Sequence, residues 1–403
     1  MNLFTTAWGE LELARFPVSP REQLRAWDAA DEYLLRHLHG PDGAAPVPLD
    51  GTVVVLGDRW GTLTTALTIA LTSADAADAA DAAGTRTDAT VTLVTDSYLA
   101  TRATAANLER NKADTDRVRL LTTQDAPPPR IDVLLVRVPK SLALLEDQLH
   151  RLAPSLHAGT VVVGAGMVTE IHTSTLQLFE RLLGPTRTSL AVRKARLIHT
   201  TPDPELVRAA NPWPLRYRLP DGIGVLSDRQ VANQAGVFCA DRLDIGTRFF
   251  LQHLPELRAG QRVVDLGCGN GIVGTAAALA EPQAELLFLD ESFQAVASAE
   301  ETFRGNLGPD AKADFQVGDG LADVPSASAD VVLLNPPFHS HQATTDAIAW
   351  RMFTGARRVL RPGGELRVVG NRHLAYHVKL RRIFGNSRLV AGNPKFVVLS
   401  AVR

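Results

Sequence analysis

The strongest constraint on the fold is a stretch in the second half, V-V-D-L-G-C-G-N-G-I-V-G from Val263 to Gly274. An apolar run ends at an acidic residue, and glycines then take every second position: Gly267, Gly269 and Gly271. Such a run reads as a buried strand, and the glycines as a tight turn opening a helix. Two further apolar runs in this half stop at polar residues, one at Asp290 and one at Asn335-Pro336-Pro337-Phe338. Strand and helix signals alternate along the chain, which predicts α/β architecture with parallel sheets covered on both faces.

The alternation occurs twice, as in a duplication. V-V-V-L-G-D-R-W-G matches V-V-D-L-G-C-G-N-G, and V-T-L-V-T-D ending at Asp96 matches L-L-F-L-D ending at Asp290. N-L-E-R-N from Asn107 sits where R-G-N-L ends the corresponding helix, and D-V-L-L-V-R-V-P-K matches D-V-V-L-L-N-P-P-F. The first copy keeps the apolar scaffold and loses the chemistry. Arg59 replaces a glycine, and Arg137-Val138-Pro139-Lys140 replaces Asn-Pro-Pro-Phe. Asn211-Pro212-Trp213-Pro214 breaks regular structure between the copies, giving expected domains 1–205 and 206–403. A scaffold kept without its site suggests a binding or supporting role for the first domain.

Around this frame, Arg21 to His39 has apolar residues at helical spacing and is stopped by Gly40-Pro41-Asp42-Gly43. The next strand is expected at Thr52–Leu56, with a helix at Leu63–Leu71. The alanine–aspartate repeat from Ser73 to Gly84 has nothing to bury and reads as an exposed helical extension or an irregular loop. In the second half a helix is expected at Ala347–Leu360, then the turn Arg361-Pro362-Gly363-Gly364, a strand at Glu365–Val369, a helix at Leu374–Ile383 and a last strand at Phe396–Ala401.

The 403 residues suit two or three domains. No apolar run approaches the ~20 residues of a membrane span. The N-terminus lacks a basic region followed by an apolar core, so no secretory signal is expected. Two cysteines, Cys239 and Cys268, supply neither a disulfide framework nor a cysteine metal site. A reducing cytoplasm is the expected compartment. The net charge of −2 means that nucleic-acid binding would need a local basic patch. Arg193, Lys194, Arg196, Arg216 and Arg218 are the candidates for phosphate contacts, against their reading as a solvated linker.

The three strand ends point to methyl transfer onto a planar nitrogen. Strand tips of open α/β sheets form the ligand crevice, and glycines let the backbone approach a ligand. Gly267, Gly269, Asn270 and Gly271 would line it. Asp265 before the turn can meet the cationic end of S-adenosylmethionine. Asp290, about 20 residues on, suits ribose hydroxyls, which fits NAD equally well. Asp319 can take an adenine amino group or form a turn. Asp244, in D-I-G-T-R, either lids the donor or caps a helix. Asn335 decides between the cofactors. Its side-chain oxygen and the Pro336 carbonyl can each accept an N–H of an exocyclic amine, turning the lone pair out of the ring. Pro336 and Pro337 stiffen the loop, and Phe338 offers a face for a flat base. His339 and His341 have no acidic or thiol partner at ligand spacing, so no metal is expected. Cys268 reads as a small filler.

Several of these stretches resemble the bacterial ribosomal RNA guanine-N2 methyltransferases, the large-subunit branch more than the small-subunit one. They are Gly236-Val-Phe, Leu243 to Pro255, Asn335 to His339, Asn371-Arg-His-Leu374, Ile383 to Asn386 and Lys395 to Leu399. In the first half Pro139-Lys140, Leu142 to Leu149, Ile171 to Glu180 and Lys194 to Ile198 belong with them. The resemblance covers most of the chain from Gly51 onward. It implies two tandem Rossmann-like class I methyltransferase domains, the first degenerate and helping to hold RNA. It also implies S-adenosylmethionine as donor, N2 of one guanine in 23S rRNA as acceptor, and protein-free or partly assembled RNA as substrate. Gly267, Gly269 and Asp290 would bind the donor, and Asn335 to Phe338 the guanine. A monomer is expected. Rivals are the same reaction on 16S rRNA, glutamine N5-methylation, and an RNA-binding scaffold without catalysis. The alanine–aspartate insert and Cys239, where a serine is expected, depart from the pattern.

Overall fold

Consecutive valines and leucines offer no polar face to water, so a run such as Val53–Leu56 must be covered on both sides. The computed structural model describes residues 2–18, 22–40, 45–80, 88–337 and 342–403, and it buries Val53, Val54 and Val55 completely in the centre of a sheet. The chain divides into two compact units, Met1–Pro212 and Trp213–Arg403. That division falls within the Pro-rich segment, a little beyond residue 205.

The first unit runs β1 (Leu3–Thr6), β2 (Gly9–Glu12), α1 (Ala29–His39), β3 (Thr52–Leu56), α2 (Thr62–Ala80), β4 (Thr90–Thr95), α3 (Tyr98–Arg110), β5 (Val118–Thr122), β6 (Ile131–Arg137), α4 (Leu142–Leu152), β7 (Leu156–Met167), α5 (Thr173–Leu182), β8 (Thr186–Thr188) and β9 (Ala195–Thr200). Seven strands form one sheet in the order β5-β4-β3-β6-β7-β9-β8. The strands from β5 to β7 are parallel, and β9 pairs antiparallel with β7 on one side and β8 on the other.

The second unit runs β10 (Leu215–Arg218), β11 (Gln230–Asn233), α6 (Ile245–Leu251), β12 (Arg262–Leu266), α7 (Ile272–Ala280), β13 (Glu285–Asp290), α8 (Phe293–Leu307), β14 (Asp314–Val317), β15 (Ala329–Leu334), α9 (Gln342–Val359), β16 (Leu360–Asn371), α10 (Tyr376–Phe384), β17 (Arg388–Gly392) and β18 (Phe396–Val402). Its sheet order, β14-β13-β12-β15-β16-β18-β17, repeats that of the first. In each unit one apolar cluster fills each face of the sheet.

Each unit also carries a two-stranded hairpin, β1-β2 or β10-β11, tied to a helix by side chains. In the first, Asn111 bonds Glu12 N–H (2.8 Å) and C=O (2.9 Å), and Asn107 bonds both backbone groups of Ala14 at 3.0 Å. In the second, Asn306 bonds Gln230 N–H (3.3 Å) and C=O (2.7 Å), and the Thr302 hydroxyl bonds both groups of Ala232. An amide offers one donor and one acceptor side, so it satisfies a strand's backbone as a neighbouring strand would.

The helix expected from Arg21 begins instead at Ala29. Asp28 caps it in a box with Asp31, and two backbone donors satisfied there fix the start. Trp27 still enters the core from outside the helix. Arg21 and the stop at Pro41 to Gly43 lie outside the described residues; Gly40, with φ 81°, makes the left-handed cap. The alanine–aspartate repeat continues α2 to Ala80, and its remainder, 81–84, lies outside the described residues. The expected turn at Arg361 to Gly364 lies inside β16, where the pairing with β15 shifts register between Ala329 and Val331.

Candidate functional site

The site lies where three parallel strands end level. Leu266 pairs with Leu289 on one side and Leu334 on the other, so Gly267, Asp290 and Asn335 are the next residues on adjoining strands. The turn is built as the glycines require. Gly267, Gly269 and Gly271 have φ of 68°, 54° and 73°. Gly267 and Cys268 donate to Leu289 C=O at 2.7 and 3.1 Å, and Gly269 donates to Asp290 Oδ2 at 3.0 Å. The glycines differ in purpose. A Cβ at Gly271 would sit 2.6 Å from Ala299 Cα, so this residue lets α7 approach α8. A Cβ at Gly269 would meet nothing within 4 Å, so its backbone faces open space.

Asp290 is braced by Gly269 N–H and by Ser292 N–H at 3.1 Å, while burial pushes its pKa up. Asp265 is only 3% exposed, and its carboxylate accepts Gly274 N–H at 2.8 Å inside the first turns of α7. Burial, opposed by that bond and reinforced by Asp290, pushes its pKa up to about 7. Asp265 therefore lies under the turn. Asn270 ties the turn to the hairpin through Asn233 Oδ1 at 3.0 Å. Asp319 is ion-paired with Arg351. Cys268 is buried, its thiol pushed well up by burial.

Asp244 caps α6 and accepts Thr247 N–H at 2.8 Å and the Thr247 hydroxyl at 3.2 Å. That hydroxyl accepts Asn335 Nδ2 at 2.9 Å. The chain Asp244–Thr247–Asn335 fixes which way the amide faces. Its Oδ1 is buried and has no hydrogen-bond partner among the described residues. A buried acceptor left unpaired costs about 1–3 kcal/mol, so it marks a place that a donor would fill. Pro336 is buried and Pro337 exposed. Phe338, His339 and His341 lie outside the described residues. Thr247 escapes sequence reading of the site, although the D-x-x-T spacing of a cap contains it.

The first unit answers residue for residue. Leu56 pairs with Val94 and Val136, which makes Thr95 the counterpart of Asp290 and Arg137 that of Asn335. This corrects the Asp96 match by one residue. Ser97 and Ser292, each capping the following helix, confirm the register. Arg137 is fully buried, with Nη2 2.8 Å from Asp28 and Nη1 donating to Ala165 C=O at 2.9 Å. Its Nε lies 2.8 Å from Asp31 as an ion pair without hydrogen-bond alignment. Burial opposes its charge, yet Asp31, Asp28, Glu170 and Asp58 push its pKa up. Arg59, opposite Gly269, pairs with Glu170 at 2.6 Å and Asp28 at 3.4 Å.

Of the basic candidates, Arg193 pairs with Glu32, Arg216 with Glu301 and Arg218 with Asp228. No group of three His, Cys, Asp or Glu among the described residues could hold a metal, and no helix among them is long and apolar enough to cross a membrane.

Comparisons with known proteins agree with this layout. Residues 1–204 match the RLMG N-terminal domain and residues 228–400 the methyltransferase small domain. A relative from Streptomyces avermitilis, named Ribosomal RNA large subunit methyltransferase G, is 69% identical over 399 residues, covering 99% of this chain and 98% of the relative. One of the same name from Stutzerimonas stutzeri is 44% identical over 403 residues, covering 100% of both. The solved T. thermophilus 16S rRNA N2 methyltransferase, in complex with AdoMet and guanosine, matches with TM-score 0.72 and 20% identity over 100% of this chain and 97% of that one. At that identity the likeness is one of fold, and it spans both units. The full-length relatives decide the matter: the chain belongs to the ribosomal RNA large subunit methyltransferase G family.

Proposed function

We propose that this chain transfers a methyl group from S-adenosylmethionine to the exocyclic N2 of a guanine in 23S rRNA. The carrying observation is the buried, unpartnered Oδ1 of Asn335, with Nδ2 of the same amide committed to Thr247. The donor supplies an electrophilic methyl on a sulfonium. The open backbone at Gly269 has room for it beside Gly267, Asp290 suits its ribose hydroxyls, and Asp319 its adenine amino group. Asp244, Asp265, Asn270 and Gly271 shape the same edge from the cap, from beneath the turn and from its far side.

Asn335 Oδ1 and the Pro336 carbonyl accept the two N–H groups of the guanine amine, and Phe338 stacks on the ring. So held, the nitrogen lone pair faces the methyl. The C–N bond forms as the C–S bond breaks, its electron pair returns to sulfur, and the nitrogen then loses a proton to solvent. No strong base is needed. The base must leave its stack to reach the crevice, which favours protein-free or partly assembled RNA. The first unit supports the fold and holds RNA, and the chain works as a monomer in the cytoplasm.

The test is mass-mapping of N2-methylguanosine in 16S and 23S rRNA from cells with the chain, without it, and with Asn335→Ala. One 23S position should be methylated only with the wild type. A lost 16S mark, or an unchanged map, would overturn the reading.

A further inference from the structure

We propose that Asn371 is a specificity residue that accepts the N1–H of the target base and so distinguishes guanine from purines that lack it. The inference rests on the guanine-N2 reading above.

Asn371 ends β16, the strand beside β15, at the same carboxyl edge as Asn335. Side chains alternate across a strand. Val331, Leu333 and Val369 pack in one core cluster with Phe250 of α6, while Leu334 and Val368 pack in the cluster on the opposite face. Asn335 and Asn371 therefore continue the same face, the one covered by α6. The first turn of α6 reaches Asn335 and the strand neighbour of Asn371. Thr247 bonds Asn335, and a Cβ on Gly246 would stand 3.1 Å from the ring of Phe396, the residue paired with Asn371. The backbone there is firm: Arg372 donates to Lys395 C=O at 2.9 Å, and its guanidinium bonds Asn393 C=O at 2.7 Å.

Among the described residues, the buried side-chain atoms without a partner include two amide oxygens, Asn335 Oδ1 and Asn371 Oδ1. Guanine carries two adjacent donors on one edge, the 2-amino group and N1–H. Asn335 alone cannot tell guanine from 2-aminopurine, since both have the 2-amino group. A second acceptor can, because N1 of 2-aminopurine or adenine is itself an acceptor and would face the Asn371 oxygen unpaired. Sites built to bond a polar group reject analogues that lack it.

The experiment uses the full chain and two RNA transcripts that carry guanine or 2-aminopurine at the mapped nucleotide. It measures kcat/KM on each, with donor Kd by calorimetry. The wild type should prefer guanine, and Asn371→Leu should lower that preference at least about tenfold with donor Kd unchanged. Asn371→Asp keeps an acceptor and should keep the preference. Should the leucine variant fail to bind donor, Asn371→Ala, which also removes the acceptor, carries the same comparison. An unchanged ratio, or an equal loss on both transcripts, would overturn the proposal alone. A wild type that forms no N2-methylguanosine on the guanine transcript would overturn the underlying reading as well.

Discussion

The two crevices occupy the same place in the same sheet order, and they differ in what fills them. In the second unit the strand ends carry Gly269, Asp290 and Asn335, leaving open backbone, a braced carboxylate and an orphaned acceptor. In the first unit the counterparts are Arg59, Thr95 and Arg137, and two guanidinium groups knit Asp28, Asp31 and Glu170 together. The helix-capping chain has changed with them. Asp244–Thr247–Asn335 leaves an amide oxygen unpaired, whereas Asp28–Asp31–Arg137 closes on itself. Losing a ligand exposes polar strand tips that must be satisfied, and here the chain's own charges satisfy them.

The comparison can be broken first at Arg137. Arg137→Asn imports the second unit's residue, leaves Asp31 without its ion pair and takes one from Asp28, so it should destabilise the chain by about 3–5 kcal/mol in urea unfolding. A loss under about 1 kcal/mol would mean that the cluster does not hold this crevice together. In the other direction, Asn335→Ala should lower kcat by about 10²–10³ with donor Kd within about twofold. Activity within tenfold of wild type would remove the amine-holding role. Gly269→Arg imports the plug and should weaken donor binding about 100-fold by calorimetry, while an unchanged Kd would move the donor elsewhere.

The smallest effect concerns Asp265, which stands where the first unit has Val55. Its folded pKa of about 7 lies above the ordinary 3.8, so the folded chain holds that proton more tightly. The stabilisation from this group is present at low pH and is lost as pH rises through that window, at up to about 1.4 kcal/mol per pH unit. Asp265→Asn should flatten the fall in unfolding midpoint between about pH 4 and pH 7 relative to wild type. Equal slopes would show the carboxyl to be ionised throughout.

Much of this was legible in the residues because periodicity and strand ends are local. The runs at Val53, Val91, Val263 and Val331 sit in the strands expected, and the duplication follows from their order. The hairpins were not legible, since four-residue strands carry little pattern of their own. The start of α1 was missed because Asp28 and Asp31 fix it through two backbone bonds while apolar spacing continues upstream. The match of Asp96 to Asp290 failed by one residue because both segments end in an acid, and only strand pairing shows that Thr95 stands level. Thr247 and Asn371 gain meaning from what they face, which lies far off in sequence.

The amide clamps on the two hairpins explain how so little sequence could preserve so much shape. Asn111 and Asn306 grip main-chain atoms, which every residue possesses, so the gripped segments were free to drift. The gripped stretches Glu12-Leu13-Ala14 and Gln230-Val231-Ala232 share only their alanine, yet each is held in the same way. Ancestry is stored in the holder more than in the held.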